Sequence, residues 1–191
     1  MDRPRRRLCR FAAEEVTDKF EFGAEELHVT SRNAEPVLIR RVRSEDRALY
    51  EDFLAGISAE DLELRFFGDI AELTKAEMER LAHLDYRREM AFVALDERSE
   101  RMLGVVRLKD ELDEETTEYA ILVHTQAKGH GIGWLLMQRA IEYAREKGLR
   151  RVYGDVLAEN AGMLQMCAEL GFHAHDMWSG VKRVVLDLGA K

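Results

Sequence analysis

Apolar and polar positions change period along the chain, and the changes mark out its elements. Pro36 precedes Val37-Leu38-Ile39, a short apolar run that predicts a strand. Residues 91–95 and 103–108 are two further apolar runs, predicted to pair as a hairpin turned through 97–101. Residues 118–123 predict a strand beside that hairpin. After a glycine-rich segment, Trp134, Met137, Ala140, Ile141 and Ala144 recur at helical period. Gly148 closes this helix, and Arg145 and Lys147 suit its negative end. Strands are predicted at 151–157, 172–178 and 181–188, the last two forming a hairpin turned at Ser179-Gly180.

Capping residues place the other helices. Ser44 is expected to cap a helix running through Leu54 and ending near Gly56. Ser58-Ala59-Glu60-Asp61 and Thr74-Lys75-Ala76-Glu77 both read as helix starts, the second with a capping-box spacing. They predict helices at 59–66 and 75–84. Asn160 is a good N-cap and Gly171 a good C′ residue for a helix between them. Residues 1–35 stand apart as an extension. Arg3, Arg5, Arg6, Arg7 and Arg10 give it a basic start, and it reads as an arm or an added packing segment. Residues 36–191 read as one domain without repeat or linker.

Composition narrows the class. The chain has 191 residues, 35% charged and 46% hydrophobic, enough for one soluble domain with a sizeable core. No apolar run approaches the roughly 20 residues of a membrane span, and no secretory core is evident at the N-terminus. A cytoplasmic setting and no membrane partner are the expectation. Cys9 and Cys167 are far apart and form no disulfide framework or metal-ligand spacing. A net charge of −8 argues against nucleic acid as a partner and is compatible with a cationic one, though it serves solubility equally well. His173 and His175 share one strand face while Asp176 falls on the other, so no metal site is expected there.

The glycine-rich segment carries the chemistry. Gln126-Ala127-Lys128-Gly129-His130-Gly131-Ile132-Gly133 joins a predicted strand to a predicted helix. Without Cβ atoms in the way, backbone N–H groups can crowd around an anion, and the helix dipole favours the same place. A phosphate or pyrophosphate ligand follows. No Gly-Lys-Ser or Gly-Lys-Thr is present, which excludes a P-loop. The dinucleotide pattern G-x-G-x-x-G fails at Trp134.

The spacing that fits is Q-x-x-G-x-G, carried by Gln126, Gly129 and Gly131. It resembles motif A of the GNAT acyltransferase superfamily, and the run from Asn160 to Glu169-Leu170-Gly171-Phe172 resembles motif B. The resemblance implies an α/β (α+β) fold with a mixed, mostly antiparallel central sheet flanked by helices, which the predicted element order matches. It implies acetyl-CoA as co-substrate, acetyl being the default acyl group, and no metal. The pyrophosphate would lie on Gln126, Ala127, Lys128, Gly129, His130, Gly131, Ile132 and Gly133. Ile121, Leu122 and Val123 would offer backbone groups to the pantetheine arm, and Asn160 would complete the set. Lys128 could instead be solvated, and His130 is expected to act only through its backbone N–H.

An amine acceptor is protonated at neutral pH, with an ordinary pKa of about 10.4, so a base is needed. Glu118, at the start of the strand leading into motif A, is the candidate, with Glu114 and Glu115 as neighbouring rivals. Many GNATs carry a tyrosine seven residues after the motif-B asparagine, where this chain has Cys167. Cys167 could protonate the leaving thiolate or carry the acyl group, but an inert core cysteine is the expected reading, with direct transfer in a ternary complex.

Leu64-Arg65-Phe66-Phe67, Asp85-Tyr86-Arg87-Arg88-Glu89-Met90-Ala91 and Glu118-Tyr119-Ala120-Ile121-Leu122-Val123 are similar to bacterial Pat-type protein lysine acetyltransferases. This resemblance covers roughly 36–188. It implies a protein lysine acceptor, possible on an acyl-CoA synthetase, and Glu118 as base. A small-amine acceptor (a polyamine or an aminoglycoside) and a non-catalytic acyl-CoA-binding module are the alternatives. A homodimer formed through the late strands, with Trp178 in the contact, is also compatible.

Overall fold

A computed structural model describes residues 26–66, 87–178 and 180–189. Eight strands are described: β1 (Glu26–Thr30), β2 (Pro36–Arg41), β3 (Glu89–Asp96), β4 (Met102–Asp110), β5 (Thr116–Val123), β6 (Arg151–Leu157), β7 (His173–Asp176) and β8 (Val181–Asp187). They form one sheet in the order β1-β2-β3-β4-β5-β6-β8-β7. Every neighbouring pair is antiparallel except β5 and β6. The described helices are α1 (Arg47–Ala55), α2 (Ala59–Phe66), α3 (Ile132–Glu146) and α4 (Ala161–Glu169). The fold is the mixed, mostly antiparallel α/β architecture that the sequence implies. The predicted helix at 75–84 lies outside the described residues.

Strands buried on both faces lose the simple apolar–polar alternation, and β3 shows this. Met90, Phe92 and Ala94 join the core under α3, while Ala91, Val93 and Leu95 join a second core under α1. Helix α3 is the main cover of the first face, with Leu136, Met137, Ala140 and Ala144 fully buried. On the other face Tyr50, Phe53 and Leu54 of α1 pack against Val93, Val105 and Leu122.

The helix ends follow their capping chemistry. Ser58 Oγ accepts the Asp61 N–H at 3.2 Å and starts α2. Asn160 Oδ1 accepts the Met163 N–H at 3.1 Å and starts α4. Gly171, at φ 91°, ends α4 with paired bonds from Gly171 N–H to Ala168 O and from Phe172 N–H to Cys167 O, a Schellman motif. Gly148 closes α3 in the same way. Ser44 differs from expectation. It opens a single 3-10 turn, Ser44–Asp46, and α1 begins only at Arg47. The carboxylate that organises this corner is Asp46, which accepts the Arg43 N–H at 2.8 Å and both terminal nitrogens of Arg40 at 2.7 and 2.6 Å.

β1 has no counterpart in the sequence reading. It pairs with β2 from Glu26↔Arg40 to Thr30↔Pro36. Only Leu27 and Val29 alternate inward there, too short a signal for a strand at the edge of a sheet.

Candidate active site

β5 and β6 run parallel and stay paired for only three residues, Thr116↔Arg151 to Glu118↔Tyr153. Both continue, β5 to Val123 and β6 to Leu157, without further pairing. The sheet therefore opens into a wedge with Glu118 at its apex. β4 holds β5 on the other side as far as Gly104↔Val123, so only the β6-facing edge of residues 119–123 is left open. An extended ligand can pair with such an edge. The wedge is the head of a cleft of about 700 Å³ that runs from Glu118 and Asp155 to the glycine loop.

The loop is built to leave N–H groups unused. A 3-10 turn, Thr125–Ala127, precedes it, with the Gln126 N–H on His124 Nδ1 at 3.2 Å. Gly129 at φ 80° and Gly131 at φ 87° then turn the chain into α3, in a backbone region that a side chain disfavours. Among the described residues no acceptor faces the backbone N–H of Gly129, Gly131, Ile132, Gly133 or Trp134. Orphan donors at the start of a 15-residue helix make an anion site. α3 starts two residues earlier than the apolar period suggested, because Ile132 and Gly133 already belong to its first turn.

Of the residues singled out from the sequence, Glu118, Ile121, Leu122, Val123, Ala127, Lys128, Gly129, Gly131, Ile132, Gly133 and Asn160 line this cleft. Gln126 and His130 do not. Gln126 is exposed on the 3-10 turn. The His130 N–H, expected to face the anion, donates instead to the Ala127 carbonyl at 3.3 Å. Its ring lies 3.6 Å from Glu35. Of the rival carboxylates, Glu115 is exposed and lies 3.4 Å from Arg150, and Glu114 sits in a left-handed turn at φ 57°. Neither lines the cleft.

Sequence reasoning missed several groups that the fold brings here. Asp155 on β6 lines the cleft and accepts two bonds from Arg183 of β8, each 2.8 Å. The Arg183 guanidinium lies 4.5 Å from the Tyr153 ring centre. Tyr153 faces Glu118 in register and donates its hydroxyl to Glu111. Burial, that hydrogen bond and the nearby charge of Glu118 hold the Tyr153 phenol far above its ordinary value, so it stays a donor at physiological pH. Tyr119 packs edge-to-face on Phe172, and its hydroxyl lies 3.2 Å from Cys167 Sγ. Burial pushes the Cys167 thiol up, and the side chain is 1% exposed. Those are the properties of a core thiol, as the sequence reading preferred. Gly154 is required beside it, since a Cβ there would lie 2.5 Å from the Tyr119 ring.

Asp61 ties α2 to the loop. It accepts the Thr125 hydroxyl at 2.6 Å and the Lys128 ammonium, while Thr125 Oγ1 accepts the Ser58 N–H at 2.9 Å. Burial raises its carboxyl, but the bonds from Lys128, Thr125 and Ser58 together outweigh burial and leave it below the ordinary 3.8. The stabilisation is therefore complete above pH 3.8 and is lost as the pH falls through the lower native value. Asp61→Asn is expected to cost about 1–3 kcal/mol at pH 7. The deficit should shrink below the ordinary carboxylate value, which urea melts across pH would show. An equal deficit at low and neutral pH would contradict the pairing.

Among the described residues no group of three or more His, Cys, Asp or Glu gathers as a metal site, and no helix is long and apolar enough to cross a membrane. Comparison with known proteins agrees with the geometry. The chain is 35% identical over 138 residues to Acetyltransferase PA5475 of Pseudomonas aeruginosa, covering 71% of this chain and 74% of that one. The fold is similar to the GNAT domain of S. lividans PAT, with a TM-score of 0.79, 24% identity, and coverage of 88% of this chain and all of that one. It is also similar to the spermidine/spermine N-acetyltransferase SpeG of Vibrio cholerae, with a TM-score of 0.57, 20% identity, and coverage of 82% and 94%. Residues 57–172 match the acetyltransferase (GNAT) family, and the chain belongs to that family.

Proposed function

We propose that this protein transfers an acetyl group from acetyl-CoA to the side-chain amine of a protein lysine, directly, in a ternary complex, with Glu118 as base. The observation that carries the reading is the wedge between β5 and β6. It places a half-buried carboxylate at its apex, an open strand edge along its wall and a loop of orphan N–H donors at its far end.

The residues present suit the co-substrate. The N–H groups of Gly129, Gly131, Ile132 and Gly133 would hold the pyrophosphate, and the open edge of Ile121 to Val123 would hold the pantetheine amides. Acetyl-CoA supplies a thioester carbonyl and a good leaving group when bound. Glu118 takes a proton from the incoming ammonium, which frees the nitrogen lone pair for the carbonyl carbon. The C–N bond forms as the C–S bond breaks, and the second proton that the nitrogen sheds passes through solvent to the departing thiolate, which leaves as the thiol of coenzyme A. Glu118 at the apex offers a cationic acceptor a carboxylate, while Asp155 beside it is already paired with Arg183.

The preference for lysine over a small amine rests on the Pat-like run from Glu118 to Val123 and on Leu64-Arg65-Phe66. Phe67, Asp85 and Tyr86 of that resemblance lie outside the described residues. The PAT fold neighbour accords with it. The test is an acceptor comparison under identical conditions, with coenzyme A release and product mass as readouts. An acyl-CoA synthetase bearing accessible lysines is expected to gain acetyl groups, and spermidine to stay unmodified. Acetylation of spermidine alone would overturn the lysine assignment. Acetyl-CoA binding without transfer to any amine of a broad panel would overturn the enzyme reading.

A further inference from the structure

The turn between β1 and β2 reaches across to the glycine loop. It is a closed turn: the Ser31 N–H donates to Glu35 O at 2.9 Å, the Ala34 N–H to Ser31 O at 3.0 Å and the Glu35 N–H to Ser31 Oγ at 3.2 Å. Ala34 takes a left-handed φ of 59° to close it. Behind it, the β1–β2 ladder fixes the turn to the sheet. In front, the Arg32 N–H donates to the His130 carbonyl at 2.9 Å, and Glu35 lies 3.6 Å from the His130 ring. The Arg32 stem lies over Gly131, where an added Cβ would be 3.1 Å from Arg32 Cγ. Arg32 lines the same cleft as Gly129, Gly131, Ile132 and Gly133.

We infer that Arg32 is a phosphate ligand for the acyl-CoA co-substrate, delivered to the glycine loop from the β1–β2 turn. The inference rests on the acyl-CoA reading of the cleft. The loop offers N–H dipoles, and its own Lys128 reaches away to Asp61 of α2. A guanidinium held by a rigid turn at the rim supplies a full positive charge with a planar fork suited to phosphate oxygens. The clamp also accounts for Gly131. A side chain there would crowd the Arg32 stem by a few tenths of an ångström as well as straining the backbone. The phosphate read by Arg32 is either the pyrophosphate or the 3′-phosphate, and the experiment separates the two.

Binding of acetyl-CoA and 3′-dephospho-acetyl-CoA is titrated, and KM for S-acetylpantetheine determined, with wild type, Arg32→Ala and Arg32→Lys. Arg32→Ala is expected to raise the Kd for acetyl-CoA about 10-fold, the size of one hydrogen bond to a charged group. Arg32→Lys should recover part of that loss. The penalty should be absent with S-acetylpantetheine, which carries neither phosphate group. A penalty that persists with the dephospho compound assigns Arg32 to the pyrophosphate, and one that vanishes assigns it to the 3′-phosphate. Wild-type affinity in Arg32→Ala overturns the inference. So does an equal penalty with S-acetylpantetheine, which would mark a merely structural role. If the wild type itself binds neither nucleotide form, the acyl-CoA reading fails first.

Discussion

Glu118→Gln lowers turnover by about 10²–10⁴-fold at saturating acetyl-CoA and leaves the Kd for acetyl-CoA within about twofold. The amide keeps the size and hydrogen-bonding shape of the carboxylate but cannot accept the ammonium proton. Affinity survives because Glu118 lies at the apex of the β5–β6 wedge, whereas the orphan N–H donors lie at the cleft's other end. Glu115→Gln is the matched control. Glu115 is exposed beside Arg150, outside the cleft, and its variant should turn over like wild type. Stopped assays of coenzyme A release paired with calorimetric binding would show the split. Loss of turnover in Glu115→Gln with retention in Glu118→Gln would place the base in the β4–β5 turn, outside the cleft, and contradict this account.

The second large effect is on stability. Arg40 and Asp46 form a two-pronged pair whose side chains are 7% and 5% exposed. Arg40 also donates to the Arg41 carbonyl at 2.9 Å, and Asp46 accepts the Arg43 N–H. This corner joins β2 to α1, the helix that covers the sheet face on which Glu118 and Leu122 lie. Asp46→Ala leaves a buried guanidinium without its carboxylate and should cost about 3–5 kcal/mol. Replacing both partners with apolar residues, Arg40→Met with Asp46→Leu, should cost markedly less, because no charge is then stranded. Chemical denaturation of the three proteins measures this. A double variant as unstable as Asp46→Ala would mean that the corner depends on the ion pair itself rather than on avoiding an orphan charge.

Local signals made most of the fold legible. β3, β4 and β5 announce themselves by dense apolar runs. α4 is bracketed by Asn160 and Gly171, whose capping roles are local chemistry. The glycine loop was legible for the same reason, since a positive φ at Gly129 and Gly131 follows from the turn that the motif must make. What stayed hidden depends on long-range pairing. Asp61 and Lys128 are 67 positions apart, and only the packing of α2 against the 3-10 turn brings them together. Arg183 and Asp155 face each other only through the β6–β8 register. Arg32 lies in a region with no family motif, and β1 carries just two inward apolar residues. Gln126 and His130 show how a motif's spacing differs from its contacts. Their spacing marks the loop, yet the local turn uses the backbone N–H of each within itself.

The central claim is that the apex carboxylate removes a proton from an amine that then takes the acetyl group. The most direct measurement is acetylation of a lysine-bearing acyl-CoA synthetase by wild type and Glu118→Gln at matched acetyl-CoA occupancy, read by intact-protein mass. The account predicts acetyl addition by the wild type, matched one for one by coenzyme A release, and its near loss in the variant. Equal acetylation by both proteins would contradict it.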